Sequence, residues 1–355
     1  MSFLCALRVF ARGIAGFEIM SVTQMVISQQ VGVSRSAVSH VLNGRGHMVS
    51  AETRKSIEQA LTDNGYHRNA LVRALKANRT HVIGIIVPTI ALSFFTEVIE
   101  AAEKQASVHG LQCFLCQTGS RVDVLEKELN ALREYRVDGV LILPSSSTAY
   151  QVYRDLEKQK YPFVIVDVPI DGLKTAYVGN DNVCAGRLAA EHLLGLGHRR
   201  IVFIRGYHES LVARDRLAGF QQALKKARVS LDSSLVVGHG FTFEQGRSVV
   251  AQLLNCKAKF SAIVALSDYV ALGVMQELAD RGLRVPEDVS VIGCGNLNFS
   301  SMVTPSLTTI NQNPQKLGRE AINALVKQIE GKATRAHQLT VVPELIVRKS
   351  TAASK

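Results

Sequence analysis

The stretch VTQMVISQQVGVSRSAVSHVLNG, residues 22–44, decides how the chain is read. Thr23 predicts an N-cap for a helix over about 24–31. Ile27 and Val31 stand four apart on one face, and Gly32 suits the left-handed residue that closes a helix. Val33 is apolar at the turn. Ser34 caps a second helix from 35 to about 42, with Val38, Val41 and Leu42 as its inner stripe. Two short helices joined by a Gly-containing turn form a helix-turn-helix. The outer face of the second helix carries Arg35, Ser36, Ser39, His40 and then Asn43. Any amphipathic helix has a polar outer face. This one has no acid, which is what a helix facing phosphates and base edges requires.

Outward from this stretch, Ser50 caps a third helix, AETRKSIEQALTDNGY, with Ile57 and Leu61 on one face and Asn64-Gly65 at its end. NALVRALKANR, residues 69–79, places Leu71, Val72 and Leu75 among Arg73, Lys76 and Arg79. It is too short for a stable lone helix. It reads either as a linker helix packed on the next domain or as a segment that orders on DNA and presses Leu75 between base steps. Charge reads either as a solvated surface or as a phosphate-binding module over the whole N-terminal piece. Residues 21–80 hold eight basic and three acidic residues, whereas the remaining excess is spread thinly over the rest of a +11 chain. Residues 1–20 are apolar with two arginines. They resemble a secretory leader only loosely, so they are read as an extension with Met20 as the expected start.

From 81 onward, short apolar runs alternate with helical patterns. The strand candidates are 81–88, 111–116, 139–144, 163–168, 200–204, 261–266 and 289–293, with amphipathic stretches such as 94–109 and 121–136 between them. Strands separated by helices predict parallel sheets with helices on both faces. Two successive sets, about 81–178 and 179–308, predict two similar lobes. Ligands bind outside the carboxyl ends of such strands. That rule points to Phe94, Phe95, Asp167 and Ser267 as effector-binding candidates. The expected organisation is an extension over 1–20, a helix-turn-helix domain over 21–66, a hinge over 67–80 and a two-lobed effector and dimerisation domain over 81–355.

The ordered motifs GVSRSAVSHVLNG, VSAETRKSIEQALTDNGY and the Asn69-x-x-x-Arg73-x-Leu75 hinge resemble the lactose-repressor/galactose-repressor family of transcription factors over roughly residues 20–350. The resemblance implies an all-α DNA-binding head and an α/β, periplasmic-binding-protein-like effector domain of two lobes. Arg35 and Ser36 then match residues that choose operator bases, and Ser39 and His40 match base or phosphate contacts, although many members have Arg at the position of His40. Thr23 and Asn43 match backbone contacts, and Leu75 matches the leucine wedged into the minor groove. With Ser34 and Asn69 these complete the DNA-binding set. Arg216 matches the arginine that grips the effector; Thr89, Arg216 and Asn296 join the effector-binding candidates only through this resemblance. Two acidic anchors of sugar-binding members are changed here, one of them to Gly295-Asn296 after Gly293-Cys294.

No run of 18 apolar residues occurs, and six cysteines are too sparse for a disulfide scaffold. Cys113-x-x-Cys116 falls in a strand pattern, where the two side chains point to opposite faces. Gly44-x-Gly46 lacks a preceding strand, and no P-loop, HExxH or GxSxG appears. The expectation is a cytoplasmic, dimeric repressor of palindromic operator DNA, controlled by a sugar or related metabolite, with no cofactor, metal, membrane or enzymatic role. The rival readings are a transport binding protein with the same lobes and a sugar-processing enzyme.

Overall fold

The computed structural model describes residues 22–66, 79–144, 148–207, 210–332 and 337–355. The expected extension and most of the hinge, with Asn69 and Leu75, lie outside these residues. The chain divides into two compact units, Met1–Ala77 and Asn78–Lys355.

In the first unit, α1 (Gln24–Val31), α2 (Arg35–Leu42) and α3 (Ala51–Asp63) enclose Ile27, Val38 and Ile57, all fully buried. Such a small core needs good helix ends. Thr23, Ser34 and Ser50 each accept a backbone N–H at the start of a helix, and Gly32 ends α1 at φ +71°. Asn64 closes α3 and donates to Gln30 Oε1 at 2.8 Å, which ties the third helix to the first.

The second unit contains two six-stranded sheets. In the first, the order is β11-β5-β4-β3-β1-β2 and every pair is parallel. These strands are β1 (Val82–Val87), β2 (Gln112–Gln117), β3 (Gly139–Ile142), β4 (Phe163–Asp167), β5 (Ala176–Asn180) and β11 (Gln338–Val341). In the second sheet, the order is β12-β10-β9-β8-β6-β7, formed by β6 (Ile201–Ile204), β7 (Val236–Val237), β8 (Ala262–Ala265), β9 (Ser290–Cys294), β10 (Thr308–Asn311) and β12 (Glu344–Ile346). Only β12 runs antiparallel. The helices between the strands are α4 (Ser93–Val108), α5 (Val122–Glu134), α6 (Tyr150–Lys158), α7 (Asn182–Gly195), α8 (Leu211–Lys226), α9 (Phe243–Asn255), α10 (Asp268–Asp280) and α11 (Pro314–Ile329). Continuous apolar runs such as IVFI in β6 are buried along their whole length, as strands covered on both faces must be.

The two successive segments expected from the order of strands supply β1–β5 of one sheet and β6–β10 of the other, but the chain beyond β10 returns to both lobes. The chain leaves the first sheet after β5, builds the second through β10, returns with α11 onto the first-lobe core, adds β11 there and crosses back to β12. A β-rich tail was invisible because β11 and β12 are short, half-exposed edge strands without a long apolar run. Cys113 and Cys116 are free thiols that pack toward different cores on opposite faces of β2. Burial pushes both thiols up, to about 11 and about 12.

In the second lobe, the carboxylate of Asp268 is wholly buried at the first turn of α10. It accepts from Thr309 Oγ1 at 2.5 Å, Ser300 Oγ at 2.7 Å and the Leu297 N–H at 2.8 Å. β10 and the turn over residues 297–301 both converge on this one side chain. Asp268→Ala would orphan three buried donors, each costing about 1–3 kcal/mol. The expected loss is at least about 3 kcal/mol in urea unfolding. A loss below about 1 kcal/mol would show that the network does not tie the lobe together.

Candidate functional site

The first candidate surface is the outer face of α2. Arg35 and Ser36 are exposed in its first turn, and Ser39 and His40 are half-buried further along. Ser34 accepts the Ala37 N–H, while its hydroxyl lies 2.8 Å from that of Ser36. Asn43 closes the helix and donates to Ser39 Oγ at 3.2 Å. Thr23 is an exposed cap. Arg35 has no ion pair among the described residues, so its guanidinium is available to an external acceptor. The face contains no carboxylate, and an exposed helix N-terminus with Arg, Ser and Ser around it suits a polyanion.

The second candidate site is where the carboxyl ends of the two sheets meet. Ser93, at the start of α4 in the first lobe, and Tyr269, in the first turn of α10 in the second, share a hydrogen bond between hydroxyls at 2.8 Å. Asp167 ends β4 with φ +74° and is buried, and its Oδ1 has no hydrogen-bond partner. Burial pushes this carboxyl up to about 6, with Arg216 pulling against the rise. Asn180, at the end of β5, stands near enough to temper the rise as well, but makes no hydrogen bond of good geometry: both its amide atoms are unpartnered. Arg216 projects from α8, donates through Nε to Asn182 Oδ1 at 3.0 Å and through Nη1 to the Leu266 carbonyl at 2.6 Å, and forms no ion pair with Asp167. Its backbone is fixed by a close helix crossing. A Cβ on Gly186 of α7 would overlap the Arg216 carbonyl, and one on Gly219 of α8 would overlap that of Val183.

Arg216 and Asp167 are thus brought together across the lobes, with Asn180 and Asn182 beside them. The other candidates are used locally. Thr89 Oγ1 accepts the Ala91 N–H. Phe94 and Phe95 meet edge-to-face at 5.5 Å and pack on the first-lobe core. Ser267 caps α10 and donates to the Phe241 carbonyl. Asn296 accepts from Arg348 at 2.6 Å. The second lobe adds aromatic groups that sequence reasoning missed. Tyr207 follows β6 and meets His239 and Phe241, and Tyr269 packs on Phe299. Tyr207 and Tyr269 follow strand ends as Asp167 does, so the same rule finds them. Phe241 was hidden because β7 has only two residues. Among the described residues, no cluster of His, Cys, Asp or Glu is arranged to hold a metal, and no helix is long and apolar enough to cross a membrane.

Residues 27–69 match the family described as bacterial regulatory proteins, lacI family, and residues 190–351 match the periplasmic binding protein-like domain. The chain is 33% identical over 327 residues to the HTH-type transcriptional repressor PurR of Haemophilus influenzae (strain PittEE), covering 91% of this chain and 97% of that one. It is similar to the lac repressor dimer bound to operator and the anti-inducer ONPF (TM-score 0.84, 27% identity, 94% of this chain and 99% of that one). It is also similar to the transcriptional regulator CelR in complex with cellobiose (TM-score 0.71, 30% identity, 93% and 99%).

The Asp167 geometry gives a pH signature. A carboxyl raised from 3.8 to about 6 binds its proton more tightly in the fold than in the unfolded chain. Stability therefore falls as pH rises through that window, and the loss is complete above it. Asp167→Asn keeps the shape and tolerates the positive φ. It should gain on the order of 1–3 kcal/mol at neutral pH and nothing below about pH 4. Thermal melts across pH check this; a variant no more stable than the parent at neutral pH contradicts it.

Proposed function

The chain belongs to the LacI family of bacterial regulatory proteins, and from that premise we propose that it represses transcription by gripping operator DNA through α2 under the control of a small molecule held between its lobes. The observation that carries this reading is the union, in one chain, of an acid-free exposed helix face with a cleft that leaves buried polar atoms unpaired. Arg35 and Ser36 read base edges. Ser39 and His40 contact bases or phosphate, and Thr23, Ser34 and Asn43 position the helix on the backbone. Asn69 and Leu75 complete the grip from the segment that joins the two units. The DNA partner places the protein in the cytoplasm, and its work is binding rather than catalysis.

In the cleft, Arg216 and Asp167 supply a donor and an acceptor, and Asn180 supplies one of each. Tyr207, Phe241 and Phe94 offer ring faces, with Thr89, Phe95, Ser267 and Asn296 shaping the walls. The combination suits a compact metabolite with polar edges, a sugar or a planar heterocycle. A ligand that satisfies Asp167 Oδ1 and the Asn180 amide favours one arrangement of the lobes. Its differential affinity for two arrangements is the free energy available to change operator affinity. Pairing of two chains is supported by the open edge of the first sheet. There β2 has no outer neighbour among the described residues, Leu115 is 49% exposed, and Val108 and Tyr135 are exposed nearby. Such an edge is a liability unless it is covered.

Two measurements follow. Binding to a palindromic fragment from upstream of the protein's own gene should weaken by about 1–3 kcal/mol in Arg35→Ala, with little change on bulk duplex. Equal losses on both would show that Arg35 serves only phosphate. Leu115→Asp should move the protein from dimer to monomer in sedimentation, and an unchanged profile would place the pairing surface elsewhere.

A further inference from the structure

A cavity of about 1040 Å³ opens at the amino end of the first-lobe sheet. Phe163 on its wall and Asp167 in the cleft are the two ends of β4, so the cavity and cleft are separated by about 13 Å of strand. Its floor is apolar, formed by Pro162, Phe163, Ala176 and Ala324. Its rim is cationic. Arg154, Lys158, Lys160, Lys174, Lys327 and Lys332 line it, against the single carboxylate of Glu157. Three of these cations are paired, Arg154 with Glu157, Lys158 with Asp155 and Lys332 with Glu330. Lys160, Lys174 and Lys327 have no ion pair among the described residues.

A second hollow shares Tyr161 and Pro162 and adds Arg79, Arg133 and Arg136 against Asp138. Arg79 pairs with Asp138 at 3.6 Å, and Arg133 lies over the Tyr161 ring at 5.6 Å.

Part of this charge has a structural explanation. Lys158 and Lys327 stand in the last turns of α6 and α11, where a cation offsets the negative helix end. Each helix end is worth about half a charge, so two ends balance about one cation. Pairing and helix ends together still leave the wall with a surplus of about two positive charges. Lys160 and Lys174 lie in loops and are not explained this way. Like charges around one concavity repel, and a multiply charged anion seated among them removes that repulsion. The shape favours a small ligand, since binding pockets run to about 300–1,000 Å³. Duplex DNA presents its phosphates along a rod and calls for a stripe.

We propose that this cavity is a second ligand site, for a polyphosphate anion, separate from the interlobe cleft. The phosphate chain is held by Lys160, Lys174 and Lys327, with Tyr161 and Phe163 beside it.

The test is calorimetric titration of the full chain with inorganic tripolyphosphate at low ionic strength. Saturable, stoichiometric binding is expected. The triple variant Lys160→Gln, Lys174→Gln, Lys327→Gln should lose roughly tenfold or more in affinity. A control triple variant at Lys225, Lys226 and Lys257, also to Gln, should keep it. Circular dichroism melts establish that both variants fold; if the triple variant does not, Lys174→Gln alone is titrated and should still weaken binding. No heat with the parent protein, or equal losses in variant and control, overturns the proposal. So does a parent that takes no tripolyphosphate while the triple variant only flattens the salt dependence of operator binding, because the charges then serve DNA phosphates.

Discussion

Everything at the cleft depends on the chain crossing between two parallel sheets three times. A parallel sheet delivers all its strand ends to one edge, and the crossings bring the two edges together. The first crossing shows the consequence. It leaves β5 beside Asn180, and α7 begins at Asn182, whose amide accepts from Arg216. α7 then enters the second-lobe core through Ala185, Ala189 and Leu193. One short segment thus holds the first-lobe edge, the second-lobe arginine and the second-lobe core in register. The reciprocal glycines 186 and 219 permit this, because the helix backbones meet where side chains would be.

The two buried aspartates show how the same residue type is used in opposite ways. Asp268 and Asp167 are both removed from water, and burial raises both carboxyls. Asp268 is surrounded by three donors that hold the second lobe together. Asp167 ends a strand in a strained conformation with an oxygen unpaired. An unsatisfied buried charge costs more than a neutral orphan, so nothing in folding alone accounts for it. The effector proposed for the cleft would supply the missing partner. The distinction between the two residues lies in their partners and cannot be drawn from burial.

Much of this was legible in the sequence. The helix-turn-helix was written in local signals: Thr23, Gly32, Ser34 and Ser50 act on their own neighbours, and local rules found them within a residue of their places. Seven strands were readable as continuous apolar runs, six of them because parallel strands buried on both faces read that way and β2, at an edge, because its own run is apolar. β5, β7, β10, β11 and β12 were not, since they are short, polar or at edges, and their pairing is decided by strands far away in the chain. The return of the chain to both lobes after β10 was missed for the same reason. At the cleft, position pointed to Asp167 and resemblance to Arg216, whose side chain donates to Asn182 and the Leu266 carbonyl. Position also pointed to Ser267 and resemblance to Asn296, yet their side chains are taken by the Phe241 carbonyl and Arg348. A strand-end rule locates a residue but does not reveal what its side chain already holds.

Charge was the least legible quantity, and the reason is geometric. Counted along the chain, about half of the +11 excess lies in the first 80 residues, and the other half is diluted over the rest. Folding undoes that dilution. Arg79, Arg133, Lys160, Lys174 and Lys327 are up to 248 positions apart, yet they line two adjoining hollows at one end of a single sheet. Parallel strands cause this convergence too, since the loops that precede β3, β4, β5 and β11 all emerge at the same edge. The carboxyl edge of the sheet gathers the groups that face the cleft, and the amino edge gathers cations. Repulsion among cations falls off with distance in space, not in sequence, so only the folded chain shows that these charges act together.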